Sequence, residues 1–414
     1  MAAQPFLAEY FDRSKLTSEQ SDLGKVIAML GYKQMAGAAA ALAILASGAG
    51  GPKSALAAGA VLNANATATA TATAAQAAAT LAYWTPQRLA TAQPKIAKAA
   101  RTFTPSTGVG APTGPTELVL GAAPSVPYDS SWAEEMPVGE SGVSPTAVGS
   151  TGQRYPYTVD RLYPTSGNTT SNIWAFYPYA IVGQLFFTEP GGNFVCSASV
   201  IRLSVIATAG HCVSDGNGHF FTNWLFVPAE FPGAAPFGKW TWAQVVVTGP
   251  WFHGGGGVPN KQDDALIVLN ANSSHQRIGQ LTGYLGFEYN AAFPTHLTQL
   301  GYPCNLDSCS DPIQDNSQVF SGPTNNFEWG TAEFGGASGG PEIQDFGQQP
   351  SHAAGTPPSE VLGGNILIAS TSYTYNTNVQ VDGGSILAAP GQFGGSLNTF
   401  GDLINFVCAT NGNC

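Results

Sequence analysis

The chain has 414 residues, enough for one large domain or two ordinary ones, and only 10% of them are charged. The formal charge of −11 is uneven: residues 1–149 carry nine Lys/Arg and nine Asp/Glu, whereas residues 150–414 carry six against seventeen. So acidic a segment repels phosphate backbones, which argues against a nucleic-acid partner, and its polar surface of Ser, Thr, Asn, Gln and Gly suits an extracellular protein.

Residues 36–47 form an apolar run of about twelve, too short for the ~20 residues that a membrane-spanning helix needs. With Ala55-Leu56-Ala57 behind it, the run reads as a signal-peptide core and cleavage site, a start at Met29 or Met35 giving it the usual length. Residues 1–57 are therefore expected to be an N-terminal segment with a signal peptide, and no stable membrane span is expected. Residues 58–82 are nearly all Ala and Thr, 85–101 place Arg88, Lys95, Lys98 and Arg101 among alanines, and 103–150 are rich in Pro, Gly, Ser and Thr. Such low-complexity sequence has little apolar surface to offset its ordering entropy. The stretch 58–150 is expected to be a pro-region and linker, mostly without a fixed fold, and 151–414 the folded domain.

After residue 150 the character changes. The stretches 180–188, 194–201, 203–208, 224–227 and 243–248 are rich in β-branched and aromatic residues and are parted by Gly, Pro and Asn turns. No long amphipathic helix appears. This predicts an all-β barrel or sandwich.

Two stretches carry chemistry. Val205-Ile-Ala-Thr-Ala-Gly-His211-Cys212 delivers a histidine at the end of a β-type run, and Gly335-Gly336-Ala337-Ser338-Gly339-Gly340-Pro341 sets a serine among glycines. Glycine permits close backbone approach and positive φ, so the hydroxyl can be exposed with neighbouring N–H groups pointing the same way, as an acyl-transfer nucleophile requires. The six cysteines, Cys196, Cys212, Cys304, Cys309, Cys408 and Cys414, all follow residue 195. Fifteen pairings are open in principle; joining sequence neighbours gives 196–212, 304–309 and 408–414. A zinc site is not supported, because no histidine stands at ligand spacing from Cys304 and Cys309. Asp215-Gly-Asn-Gly-His219 has too few carboxylates for a calcium loop and reads as a turn.

Thr208-Ala209-Gly210-His211-Cys212 together with Gly336-Ala337-Ser338-Gly339-Gly340-Pro341, in that order, resembles the trypsin/chymotrypsin-fold serine peptidases. The nearest look is to the bacterial secreted branch that includes the glutamyl endopeptidases. The resemblance covers roughly residues 155–407 and takes in Gly301-Tyr302-Pro303. It implies two Greek-key β-barrels with the site in the cleft between them. Ser338 would be the nucleophile, His211 the general base, and the N–H groups of Gly336 and Ser338 the oxyanion donors. A Cys196–Cys212 bridge is also implied. For the third group, Asp263 and Asp264 precede an aliphatic strand and face opposite ways. The family pattern of Asp, a variable residue, a small residue and paired aliphatics selects Asp263. No cofactor or metal is needed, and protein or peptide substrates and a monomeric state are expected.

Departures limit the specificity. The strand at 365–373 has no histidine where glutamyl endopeptidases have one, leaving Ser370 as a candidate lining residue. Ala332, six residues before Ser338, stands where trypsin-like enzymes carry their pocket aspartate. Glu333, one position on, is a candidate that could still reach the pocket, although an exposed loop acid is the expected reading; Ala332 itself is kept as a candidate lining residue. Ala337 replaces the aspartate with which trypsin-like zymogens pair a newly cut N-terminus. Residues before about 155 are therefore expected to cover the cleft or assist folding, with active N-termini tolerated anywhere from roughly 140 to 160. Two rivals remain. Gly336-x-Ser338-x-Gly340 fits an α/β-hydrolase elbow, but only His352 follows it and helices do not alternate with strands. A catalytically inactive peptidase-fold binding protein keeps the fold and loses the labelling of its serine.

Overall fold

The computed structural model describes residues 68–99, 114–126, 155–162, 173–231, 234–291, 296–347, 364–375, 379–409 and 413–414. The expected signal peptide lies outside the described residues. Four short strands and two helices precede the main body: β1 (Thr69–Thr71), α1 (Ala74–Tyr83), α2 (Pro86–Ala90), β2 (Gln93–Pro94), β3 (Glu117–Val119) and β4 (Tyr157–Arg161).

The first barrel is built from β5 (Val182–Glu189), β6 (Gly192–Val200), β7 (Val205–Thr208), β8 (Thr222–Pro228), β9 (Trp240–Val247) and β10 (Ala265–Leu269), with α3 (Gly249–His253) between the last two. Its strands pair antiparallel in the order β5-β6-β7-β10-β9-β8, and β8 returns to β5 to close the ring. After α4 (Ile278–Thr282) and β11 (Gly286–Tyr289), the second barrel uses β12 (His296–Gly301), β13 (Ile313–Ser321), β14 (Asn326–Gly330), β15 (Pro341–Gln344), β16 (Ile366–Thr374) and β17 (Val381–Ile386). Its ring runs β12-β13-β14-β17-β16-β15 and closes on β12. Taken by rank along the chain, both rings read 1-2-3-6-5-4. The two barrels therefore share one connectivity, and closure leaves neither ring with a free sheet edge.

The first barrel is filled by aliphatic side chains. Every residue of β10 is buried, as are Val245, Val246 and Val247 beside it. Each such side chain contributes about 1.5–3 kcal/mol over its exposed state. The chain ends in α5 (Phe400–Ala409), which the sequence reading did not anticipate. Phe400, Leu403, Ile404 and Val407 are buried at i, i+3, i+4 and i+7, and Thr399 caps the start by exchanging hydrogen bonds with Asp402.

Within the stretch 58–150, the described residues 68–99 and 114–126 include regular elements where no fixed fold is expected. Residues 69–71 form a strand on β9, with Ala68 and Ala70 buried and Thr71 turned outward. The Ala/Thr repeat that reads as low complexity is a period-two pattern with a small apolar face. Thr73 and Gln76 cap α1 reciprocally, Trp84 is buried against Phe186, and β3 pairs with β11. Likewise β4 pairs with β13 across Tyr157–Arg161. The upper part of the expected 140–160 window for a free N-terminus thus falls inside a paired strand.

Candidate active site

Strand pairing brings His211 and Asp263 together. Ala265 at the start of β10 lies opposite Thr208 at the end of β7, so the residues just beyond these ends are neighbours. Asp263 Oδ1 accepts the His211 backbone N–H at 2.8 Å, and Oδ2 lies 2.8 Å from His211 Nδ1. Ser372 Oγ donates to the same Oδ2 at 2.5 Å, and the Asp263 N–H donates to Ser385 Oγ at 3.1 Å. A carboxylate so held fixes the imidazole ring and directs Nε2 away from itself. Asp264 is also buried; burial, and then the charge of Asp263, push its carboxyl well above the usual range.

Ser338 sits on a loop pinned to both barrels. Its carbonyl accepts the Ser197 N–H at 2.7 Å, and Ser197 Oγ donates to the Gly336 carbonyl at 2.9 Å. On the second barrel, Gly339 N–H donates to Thr371 O at 2.7 Å and Thr371 N–H to Gly340 O at 2.9 Å. Glycine is required at two of these positions. Gly336 has φ +100° and a Cβ there would lie 2.5 Å from Tyr302 O; Gly339 has φ +78° and its Cβ would lie 2.0 Å from Thr208 Oγ1. The disulfide Cys196–Cys212 ties the strand carrying Ser197 to the turn carrying His211. Cys304–Cys309 and Cys408–Cys414 are also bonded, and no free cysteine remains.

A peptide already lies across this site. Residues 93–94 pair parallel with β6, Lys95 N–H donates to Val195 O at 2.9 Å, and Lys98 bridges Thr374 in parallel. Thr374 N–H donates to Ala97 O at 3.1 Å and Ala99 N–H to Thr374 O at 2.9 Å. The segment thus joins a strand of one barrel to a strand of the other. At its centre the Lys95 carbonyl oxygen accepts the Gly336 N–H at 3.2 Å and the Ser338 hydroxyl at 3.2 Å. His211 Nε2 is buried and has no hydrogen-bond partner among the described residues. The serine proton is therefore committed to a carbonyl oxygen and not to the histidine.

The three specificity candidates fare differently. Ala332 is buried, and its N–H donates to Asp315 Oδ2 at 2.7 Å. Glu333 is fully buried, which overturns the reading of an exposed loop acid: the loop turns inward, and its N–H donates to Thr331 Oγ1 at 2.9 Å. Ser370 is buried on β16, but the cavity beside Ser338 is lined by Thr371, Tyr373 and Thr374 instead. Strand alternation places Ser370 on the other side of the sheet from Thr371.

The sequence reading missed Ser372, the 93–99 segment and Asp382, which lines the cavity beside Ser338. Ser372 had a signal, since it stands two positions beyond Ser370 on the same strand. Among the described residues, the metal-type ligand atoms of Cys196, His211 and Cys212 lie close together, but both sulfurs are consumed by the disulfide.

No family model matches the chain. Among curated proteins it is similar to a glutamyl endopeptidase of Bacillus licheniformis, at 22% identity over 227 residues, covering 54% of this chain and 67% of that protein. Among solved structures it is similar to the protease Anisep from Arthrobacter nicotinovorans, with 27% identity, a TM-score of 0.43, and coverage of 52% of this chain and 93% of that one. It is also similar to a Glu endopeptidase solved in complex with MPD, at 17% identity and a TM-score of 0.45, over 64% of this chain and 99% of that one. All three are named as proteases or endopeptidases, and the two closed barrels fit the trypsin/chymotrypsin fold.

Proposed function

We propose that this chain is a secreted serine endopeptidase, described in a latent form. Ser338 attacks the carbonyl carbon of a peptide bond. His211 Nε2 takes its proton and returns it to the leaving amine, and Asp263 holds the ring and stabilises the imidazolium. The N–H groups of Gly336 and Ser338 stabilise the oxyanion. Water then hydrolyses the acyl-enzyme by the same proton path, with no cofactor.

One observation carries this reading. The Ser338 hydroxyl and the Gly336 N–H converge on a single peptide carbonyl oxygen, that of Lys95. A backbone carbonyl thus already occupies the place that a substrate carbonyl needs. The same contact supports latency, because it takes the Ser338 proton away from His211 and fills an oxyanion donor. Release of residues 93–99 frees both groups without building anything new, which accords with Ala337 having no charge to offer an incoming N-terminus. Secretion is supported by the disulfides and by the sequence at 36–57.

The test is fluorophosphonate labelling of protein recovered from culture medium, with mass spectrometry locating the adduct and the mature N-terminus. An adduct on Ser338 is expected, on protein beginning beyond residue 57. Failure to label in protein that has shed the 93–99 segment would leave a peptidase fold used only for binding.

A further inference from the structure

We propose that the covering segment, residues 93–99, lies across the active site against the direction of a substrate: it blocks Ser338 without being hydrolysed there, and its release requires a cut outside it. The inference rests on the peptidase reading above and adds the regulation of that site.

The direction of a productive peptide follows from which barrel holds which group. Ser338 precedes β15 of the second barrel, whereas His211 follows β7 and Asp263 precedes β10 of the first. When a peptide bond is cut, the acyl half stays on Ser338 and the amine half leaves with a proton from His211 Nε2. The acyl half therefore keeps to the second barrel, along β16, and the amine half to the first, along β6. The imidazole does stand at β6: a ring nitrogen of His211 and the sulfurs of Cys196 and Cys212 lie within 4.8 Å of one another. Cys196 is the next residue after Val195, the partner of Pro94. From N- to C-terminus, a substrate thus runs from β16 to β6.

The covering segment runs from β6 to β16. Gln93 and Pro94 lie opposite Phe194 and Val195, and Lys98 then lies opposite Thr374. Both pairings are parallel, whereas a peptide of substrate polarity would pair antiparallel with the same two strands. The Lys95 carbonyl occupies the reaction centre, and the amide that would have to leave is that of Ile96. The chain beyond it follows β16, the acyl side. A cavity of about 300 Å³ is lined by Ile96, Ala97 and Lys98 together with His211 and Trp251, so open space separates these three residues from the imidazole.

A peptide laid this way survives attack. Addition to Lys95 would join Ser338 Oγ to the carbonyl carbon, pass the hydroxyl proton to His211 Nε2 and move the C=O electron pair onto oxygen. Collapse to products needs that proton on the Ile96 nitrogen, which leads away from the histidine. The Oγ–C bond breaks instead. Its electron pair and the proton return to Ser338, the C=O bond re-forms, and the segment is intact.

The experiment uses the full chain with a recognition sequence for a site-specific protease inserted within residues 101–113. Cut there, the chain should label at Ser338 with a fluorophosphonate about tenfold faster than the uncut form. It should hydrolyse peptide nitroanilides, and mass spectrometry should find every bond from residue 93 to residue 99 intact after many turnovers. Hydrolysis within 93–99 in either form, or measurable labelling that is equal before and after the cut, overturns the proposal. Amide exchange in the uncut chain, read residue by residue, reports polarity without any turnover. Parallel pairing protects the N–H groups of Lys95 and Ala99, which donate to Val195 O and Thr374 O, and leaves that of Lys98 to exchange freely. Protection at Lys98 with none at Ala99 overturns the proposal. The expected exchange pattern in a protein whose serine never labels and which turns over no peptide upholds the reversed segment and strikes the peptidase reading instead.

Discussion

Lys95→Ala in the intact chain tests latency directly. Lys95 Nζ pairs with Glu189 Oε2 at 2.6 Å, with the two side chains 20% and 15% exposed. It also stands 4.7 Å from the Phe221 ring centre and 5.5 Å from that of Phe194. An ion pair of this exposure contributes about 1 kcal/mol, and a partly desolvated cation–π contact adds about 1 more. The backbone bonds of the segment to Val195 and Thr374 do not depend on the side chain and remain. Losing about 2 kcal/mol from the covered state raises the uncovered population roughly thirtyfold. The assay is the second-order rate of fluorophosphonate labelling of Ser338 in protein whose intact mass shows no cleavage. Labelling should accelerate by that factor. Arg88→Ala serves as the control, because Arg88 stacks on Tyr83, with its guanidinium 4.1 Å from the ring centre, and does not enter the cleft. Equal rates for wild type and Lys95→Ala, or equal acceleration by Arg88→Ala, would refute the idea that the segment gates the site through these contacts.

Three further outcomes are expected. Asp263→Asn should lower kcat by on the order of 10⁴, whereas Asp264→Asn, at a buried side chain that makes no hydrogen bond to His211, should cost little; steady-state kinetics of both variants decide the assignment. Selective reduction of Cys196–Cys212 should destabilise the protein by roughly 3 kcal/mol in denaturant titrations, the loop closed being about fifteen residues. Stability should also fall as pH rises from about 4 to about 8. Burial holds Asp311 at about 6, Asp315 at about 7 and Glu230 at about 8. The unfolded chain releases these protons near pH 4, so across the interval the native state binds more of them and ∂ΔG/∂pH is negative. A Tm that climbs between pH 5 and pH 8 would contradict this.

The sequence made the first barrel legible because its strands are short, β-branched and bounded by turns; the run at 243–248 lies almost wholly within β9. His211 and Ser338 stand out as candidates in the sequence because each lies in a contiguous motif whose backbone requirements are written in glycine. Glu333 was misread because one acid in a loop carries no mark of the direction in which the loop folds. Asp382 was invisible because its relation to Ser338 arises from the pairing of β16 with β17, across residues with no common pattern. The Ala/Thr repeat at 69–71 was dismissed on composition, although its alternation is a strand signal of the kind trusted elsewhere. The helix α5 had its own signal, Thr399 three residues before Asp402 at the head of an apolar stripe.

The covering segment is flanked by β1, which is bonded to β9, and by β3, which is bonded to β11. It is thus a ligand tethered at both ends to its own receptor. A tethered ligand acts at an effective concentration in the millimolar range, whatever the concentration of the protein. A modest intrinsic affinity therefore suffices for latency while the chain is whole, and the tight contacts expected of a diffusible inhibitor are unnecessary. A single cut between residues 99 and 114 releases one tether, and a second cut on the β1 side would set the peptide free at the protein's own concentration. In a dilute medium that change lowers its local concentration by orders of magnitude, so activation would be completed by dilution after the cuts are made.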